Sequence, residues 1–456
     1  MDWQKEAEKR KDHMISELKE LLSIPSVLAD PAEDAPFGKD VKQALDWFLE
    51  KGRSNGYHTK NTGNKAGHLE TGEGDELVGI LGHVDIVPAG TGWTKPPFAG
   101  TEEDGRLYGR GAIDDKGPTI AAWTALQMVK ESGAEFDKRV RLIIGTDEES
   151  GFRCMDRYFE TEEMPGTGFA PDADFPIINA EKGIAGLVFS QLRLKRPDRL
   201  ISFRSGERTN MVPDEAVAVL KGTADEFRES FGHFCEAEGI TGEVAETDDI
   251  VTLTAHGKSA HAMEPDDGKN AGLILAAYLN GKLTDDGQRF VGFLTDSFYG
   301  DSRGRALGFN YTDEASGDVT LNPGVIRYQR GSIGTVEVSF RYSVTFPFDQ
   351  RIHSFVPAEF ALDIKSNSLP HHVDENDPFI RTLQRVYEKQ TGKTAELLAI
   401  GGGTYARVLD KGVAFGMLFP GEADVAHQPD EFVDIENLVK ATAIYAEAIY
   451  ELACKK

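Results

Sequence analysis

The strongest constraint on the fold is a change in hydrophobic texture along the chain. Residues Leu77 to Val87 read Leu-Val-Gly-Ile-Leu-Gly-His-Val-Asp-Ile-Val, an almost uncharged run. Such a run predicts a strand covered on both faces, as in a parallel sheet lying between helices. Residues Val336 to Phe346 alternate instead. Val336, Val338, Phe340, Tyr342, Val344 and Phe346 fall on one face, and Glu337, Ser339, Arg341, Ser343 and Thr345 on the other. A period of two predicts an antiparallel strand with one covered face. One chain therefore holds two kinds of sheet.

The helical segments sort the two. Ile15, Leu18, Leu21 and Leu22 recur at helical spacing within 2–22, and a second helical stretch covers 39–55. Pro118 suits the first turn of a third helix, from Thr119 to about Ser132. Val140 to Gly145 is a short apolar strand. After Lys182 the alternating texture takes over. A helix over Phe379 to Gln390, a glycine loop at 401–403, a strand over Val413 to Phe419 and a helix over 435–453 then restore the first pattern. The expected fold class is α/β: a mainly parallel sheet with helices on both faces, interrupted by an inserted α+β domain. The expected boundaries are 1–183 and 371–456 for the discontinuous domain and 184–370 for the insert.

Charge narrows the function. Acidic residues number 76 and basic ones 50, a formal net charge of −26. Phosphate binding needs clustered Lys and Arg, so this balance argues against nucleic acid and against an anionic membrane surface. Cys154, Cys235 and Cys454 lie far apart with no C-x-x-C pair. That argues against a disulfide scaffold or a cysteine zinc site and fits a reducing compartment. The polar opening Met-Asp-Trp-Gln-Lys-Glu is unlike a secretory signal, and no apolar run approaches the roughly 18 residues of a membrane helix. The expected location is the cytoplasm.

Neither G-x-S-x-G nor H-E-x-x-H occurs, and Gly257-Lys258-Ser259 fails as a P-loop because Thr252 stands where the first Gly belongs. What remains is a scatter of His and carboxylates, each beside a strand end. In Gly82-His83-Val84-Asp85, residues i and i+2 of an extended segment project to the same side. Asp85 can therefore orient the His83 imidazole for a metal, with a solvated His as the plain alternative. Asp114 and Asp115, within Tyr108-Gly-Arg-Gly-Ala-Ile-Asp-Asp-Lys-Gly-Pro118, either bind metal or cap the following helix. In Asp147-Glu148-Glu149 adjacent side chains point apart, so one Glu can bind metal while its neighbour faces a reactive water. Pro171-Asp172-Ala173-Asp174 and Ala426-His427-Gln428-Pro429-Asp430 add a carboxylate and a second imidazole, although each alone reads as a loop. Together two His and three carboxylates suit two cations, zinc first, with manganese or cobalt as alternatives. Two divalent ions carry about +4, and three carboxylates with one hydroxide about −4, so the cluster is neutral enough for partial burial.

The motifs G-H-V-D, G-R-G-A-I-D-D-K-G-P, D-E-E-S-G, P-D-A-D-F-P, G-K-S-A-H and A-H-Q-P-D-E-F occur in that order. This set resembles the dinuclear zinc peptidases that include carboxypeptidase G, aminoacylase and succinyl-diaminopimelate desuccinylase. Phe-Ala-Pro-Asp-Ala-Asp-Phe-Pro, Ile-Asn-Ala-Glu-Lys-Gly and Gly-Gly-Gly-Thr-Tyr-Ala-Arg resemble its branch of bacterial dipeptidase V and Xaa-His dipeptidases. The resemblance implies that Asp114 bridges two metals, that His83 and Asp172 complete one site, and that Glu149 and His427 complete the other. It implies Asp85 as the residue that orients His83, Glu148 as general base, and a cis peptide bond between Asp114 and Asp115.

The same resemblance implies that the insert is a lid. His261, in Gly257-Lys-Ser-Ala-His261, would polarise the scissile carbonyl, and Asn210, in Thr209-Asn-Met-Val-Pro213, would be a second lid contact. Arg341, on the polar face of its strand, could grip the substrate's terminal carboxylate in a bidentate pair. Backbone N–H groups of 401–404 could serve the same carboxylate. A turn residue, a surface ion pair and a flexible glycine turn are the respective plain alternatives. The expected activity is metal-dependent hydrolysis of dipeptides, limited in length by that carboxylate anchor. An N-acyl amino acid deacylase on the same fold is the rival, and a non-catalytic metal or peptide binder a more distant one. The large lid of this branch takes the place of a partner subunit, so a monomer is expected.

Overall fold

The computed structural model describes residues 1–192, 199–353 and 356–455. The chain forms two compact units: Met1–Asn179 with His372–Leu398 and Gly403–Lys456, and Ala180–His371 with Ala399–Gly402. Residues Ala399–Gly402, expected within the discontinuous domain, thus cluster with the insert.

In the first unit a sheet runs through His58–Thr62, Ala66–Thr71, Arg139–Gly145, Leu77–His83, Thr167–Ala170 and Gly412–Ala414. Its centre is parallel, from Arg139–Gly145 through Leu77–His83 and Thr167–Ala170 to Gly412–Ala414. Its flank of His58–Thr62 and Ala66–Thr71 is antiparallel. Leu77–His83 is buried at every position, which accounts for its unbroken apolar sequence. Helices Trp3–Leu22, Lys116–Glu131 and Ile435–Ala453 pack on one another and share one hydrophobic core with the sheet.

Two strands differ from the sequence reading. The first stops at His83 rather than Val87. Its neighbour ends opposite, at Gly145, and Ile86 pairs with Val27 instead. The other, Val413 to Phe419, is split into Gly412–Ala414 and Met417–Leu418. The chain there changes partner from Thr167–Ala170 to Ala173–Asp174.

The second unit is an antiparallel sheet in the order Thr241–Thr247, Ile250–His256, Glu215–Lys221, Leu200–Ser205, Thr320–Gln329, Thr335–Tyr342, Gly183–Gln191 and Phe360–Ser368. Helices Arg228–Ala237, Ala271–Leu279 and Asp285–Phe298 pack against it over a separate core. The strand expected to reach Phe346 ends at Tyr342. The Ser343 hydroxyl bonds Gly317 O at 2.6 Å, and Thr345 N–H bonds Asp313 Oδ2 at 2.8 Å, which turns the chain away. Its polar face is not uniformly wet, because Ser339 and Arg341 are buried. Among the described residues no helix is long and apolar enough to cross a membrane.

Candidate metal centre

Adjacent parallel strands deliver the first residues. His83 ends Leu77–His83, the Asp147–Glu149 turn follows Arg139–Gly145, and Asp172 follows Thr167–Ala170. All leave the carboxyl edge of the sheet, where open α/β sheets hold their ligands. Asp114 precedes helix Lys116–Glu131, and His427 lies in the loop before Phe432–Asp434. Gly82 permits the close approach of strand and helix: a Cβ there would stand 2.1 Å from Thr119 Oγ1.

His83 Nε2 lies 3.1 Å from Asp114 Oδ1 and 3.7 Å from Asp172 Oδ2. His427 Nε2 lies 2.9 Å from Asp114 Oδ2 and 3.1 Å from Glu149 Oε2. Two donor groups result, His83–Asp114–Asp172 and Asp114–Glu149–His427, each with its ligand atoms within 4.8 Å of one another. Asp114 belongs to both and turns one oxygen to each. Imidazole nitrogens and carboxylate oxygens without a thiolate suit borderline divalent cations, so the residues fit a pair of such ions.

Electrostatics agrees with that fit. Burial, then the charges of Asp115 and Asp114, hold the Asp172 carboxyl well above the ordinary range. Burial opposes charge on His83, yet hydrogen bonds to Asp114 and Asp85 hold it well above the usual imidazole range. Asp114 and Glu149 push His427 up to about 11. Both imidazoles therefore hold their protons against these carboxylates, and bound cations would displace those protons.

Asp85 meets the His83 ring through both its backbone and its side chain. The nearest partner of Nδ1 is the backbone carbonyl of Asp85 at 3.0 Å, with the Asp85 carboxylate at 3.5 Å. Asp85 Oδ2 accepts the Glu149 N–H at 3.1 Å. Asp85 thus steadies a member of each donor group. The Asp114–Asp115 peptide bond is cis, as the resemblance implies. Asp115 takes the Thr119 hydroxyl at 2.7 Å and the His83 N–H at 3.1 Å, and makes no capping bond to the helix. Glu148 is half-buried beside the cluster. Removal from water raises its carboxyl well above the ordinary value; His83 opposes, and Glu149, Asp114 and Asp85 add to the rise. Asp147 is drawn away by Arg153, whose Nε and Nη2 reach it at 2.7 and 2.5 Å.

Sequence reasoning missed Glu431. Its buried Oε1 accepts the N–H groups of Gly111, Ile113 and Asp114 at 3.0, 3.1 and 3.3 Å, while Oε2 pairs with buried Arg110. It ties the loop carrying His427 to the loop carrying Asp114. The available signal was one further acid in A-H-Q-P-D-E-F. Lys116 is also buried, donating to Leu21 O at 3.1 Å and Ile24 O at 2.7 Å, and burial lowers its pKa to about 7.

In the second unit Met211 and His261 form an antiparallel bridge, and Ala262 N–H bonds Asn210 O at 2.9 Å. Asn210 and His261 are both exposed there. The His261 Nδ1 accepts the Met263 N–H at 3.2 Å, which leaves the neutral ring its proton on Nε2. Arg341 is buried and donates to Gly401 O at 2.9 Å and to Ser339 Oγ at 3.2 Å. The 401–404 loop divides between the units. Gly401 and Gly402 cluster with the second, while Gly403 and Thr404 belong to the first.

The family model described as Peptidase family M20/M25/M40 matches residues 79–451. A Bacillus subtilis protein named "Putative dipeptidase YtjP" is 49% identical over 466 residues, covering 99% of this chain and 100% of that one. A Staphylococcus aureus protein named "Putative dipeptidase SAUSA300_1697" is 41% identical over 468 residues, 100% of both chains. Among solved structures, the aminoacylhistidine dipeptidase from Vibrio alginolyticus aligns over 97% of this chain and 96% of its own, with TM-score 0.56 at 14% identity. The di-peptidase Dug1p from Saccharomyces cerevisiae aligns over 99% and 98%, with TM-score 0.57 at 15% identity. At such identities the structural likeness is one of fold.

Proposed function

Because the chain belongs to peptidase family M20/M25/M40, we propose that it is a metal-dependent dipeptidase, hydrolysing the amide bond of dipeptides. The observation that carries this reading is Asp114, which turns one oxygen to each of two three-residue donor groups. On this reading His83, Asp114 and Asp172 hold one divalent cation, and Asp114, Glu149 and His427 the other, with zinc the first choice. When bound, such ions polarise a carbonyl and make water easier to deprotonate.

The chain's own residues then divide the work. Glu148 takes a proton from the attacking water as its oxygen bonds to the scissile carbon. It returns that proton to the amine nitrogen as the C–N bond breaks. A carboxyl raised above the ordinary range suits a group that must both accept and give. The Nε2–H of His261 stabilises the oxyanion, a role supported by the Met263 N–H that occupies Nδ1. Arg341 holds the substrate's carboxylate and Asn210 makes a further contact. An anchor one residue from the scissile bond restricts the substrate to two residues. We place the enzyme in the cytoplasm, a reading supported by three free, buried thiols.

The test is a chelator-stripped preparation reloaded with zinc or manganese and offered a dipeptide, its N-acetyl form and a pentapeptide. Metal-dependent cleavage of the dipeptide, with the other two spared, is the expected result. Preference for the N-acetyl form would favour the deacylase reading instead.

A further inference from the structure

Asn210 and His261 stand on segments outside the regular strands. The bonds Val212 N–H to Ala260 O, 2.8 Å, and Ala262 N–H to Asn210 O, 2.9 Å, join these segments to each other. Asn322 adds a tie to the sheet from a further strand. It lies on strand Thr320–Gln329 and is 1% exposed. Its Nδ2 donates to Thr209 O at 2.9 Å and to Met211 O at 2.8 Å, the carbonyls on either side of Asn210. Both N–H bonds of the amide are thereby used, which sets the position and the tilt of the turn together. The strand is shaped for this contact. A Cβ on Gly324 would stand 2.5 Å from Thr209 Cα, so only glycine lets the turn lie against it.

We propose that Asn322 is a positioning residue for substrate recognition, its amide fixing the turn of Asn210 and, through the bonds between the two segments, His261. The inference rests on the reading of Asn210 and His261 as substrate contacts. It explains why an apolar strand interior holds an amide whose donors both point at a loop. An apolar residue of the same size would leave the carbonyls of Thr209 and Met211 without this donor.

The test uses the full-length metal-loaded protein and four variants: Asn322→Ala, Asn322→Ser, His261→Ala and the double Asn322→Ala/His261→Ala. Small misplacements of a catalytic group commonly cost about 100-fold, so Asn322→Ala is expected to lower kcat on a dipeptide by about that factor. Metal content should be unchanged. Asn322→Ser, which keeps one donor, should fall between and stands in if the alanine variant does not fold. In the double variant the extra loss beyond His261→Ala should shrink to what Asn210 contributes, because residues acting as one unit are not additive. Amide exchange should quicken at Val212 and Ala262 and stay unchanged in the rest of the sheet. Losses that multiply in full in the double variant, or wild-type activity in Asn322→Ala, would overturn the inference alone. Wild-type activity in His261→Ala would overturn the substrate-contact reading and the inference with it.

Discussion

A carboxylate serves as both base and acid when its pKa lies closer to the working pH than that of a free glutamate. Glu148 has that environment, half-buried among Glu149, Asp114 and Asp85. Glu148→Gln keeps the shape and removes the proton carrier. Loss of a general base costs about 10²–10⁴-fold, so its kcat should fall in that range while atomic spectroscopy finds the metal retained. Unchanged kcat would remove Glu148 from its role. A second residue sets acid stability. His68, 1% exposed, accepts the Tyr158 hydroxyl at 2.7 Å, and Arg141 donates to Tyr158 at 3.3 Å. Burial, then the Arg141 charge, pushes the His68 pKa down to about 3 from 6.5. The folded value lies below the unfolded one, so the contribution is complete above 6.5 and is lost as pH falls towards 3. The slope over that window is at most about 1.4 kcal/mol per pH unit. Wild-type Tm should therefore drop more steeply than that of His68→Gln between about pH 6 and pH 4. Parallel curves would contradict it.

Elements act through their ends. Three strand ends place His83, the Asp147–Glu149 turn and Asp172 on one edge, but the other two members of the donor groups, Asp114 and His427, come from loops that need fixing. Glu431 supplies this by accepting three N–H groups around Asp114 while its own chain carries His427. Supporting residues behind metal ligands typically contribute about 10–100-fold in affinity, and Glu431→Ala, which removes the acceptor of all three N–H groups, should lose that much in a chelator competition. Replacing Arg110 and Glu431 together by Met and Leu should spare the fold better than Glu431→Ala, which strands a buried guanidinium. Metal affinity should stay low in both. Recovery of affinity in the double replacement would show that the ion pair, rather than the N–H contacts, matters. Element types were readable because Leu77–His83 is buried throughout and Lys116–Glu131 nearly so. Their ends were not, since a strand stops where its neighbour stops, and Gly145 fixes the end at His83 from far along the chain.

At the scale of the molecule, the interrupted α/β plan was readable from texture alone, because covering both faces of a sheet leaves a different residue pattern from covering one. The residues that meet in the two donor groups were readable from motif order. Glu431 and Asn322 were hidden for a common physical reason: each works on backbone groups, which carry no sequence signature. Arg341 was half-read. Its strand and period were evident, but the Gly401 carbonyl it meets comes from a four-residue segment beyond the insert. The same arrangement bears on assembly. Both donor groups lie within one copy of the first unit, and the segments of Asn210 and His261 are bonded within one copy of the second. All five residues of the two donor groups come from one copy, so a second subunit has no donor to add to them. The enzyme is therefore expected to be active as a monomer. Sedimentation of the metal-loaded protein should return a mass near 50.0 kDa, and specific activity should stay constant on dilution. A mass near twice that value, with activity lost on dilution, would mean that completion of the site requires a neighbour.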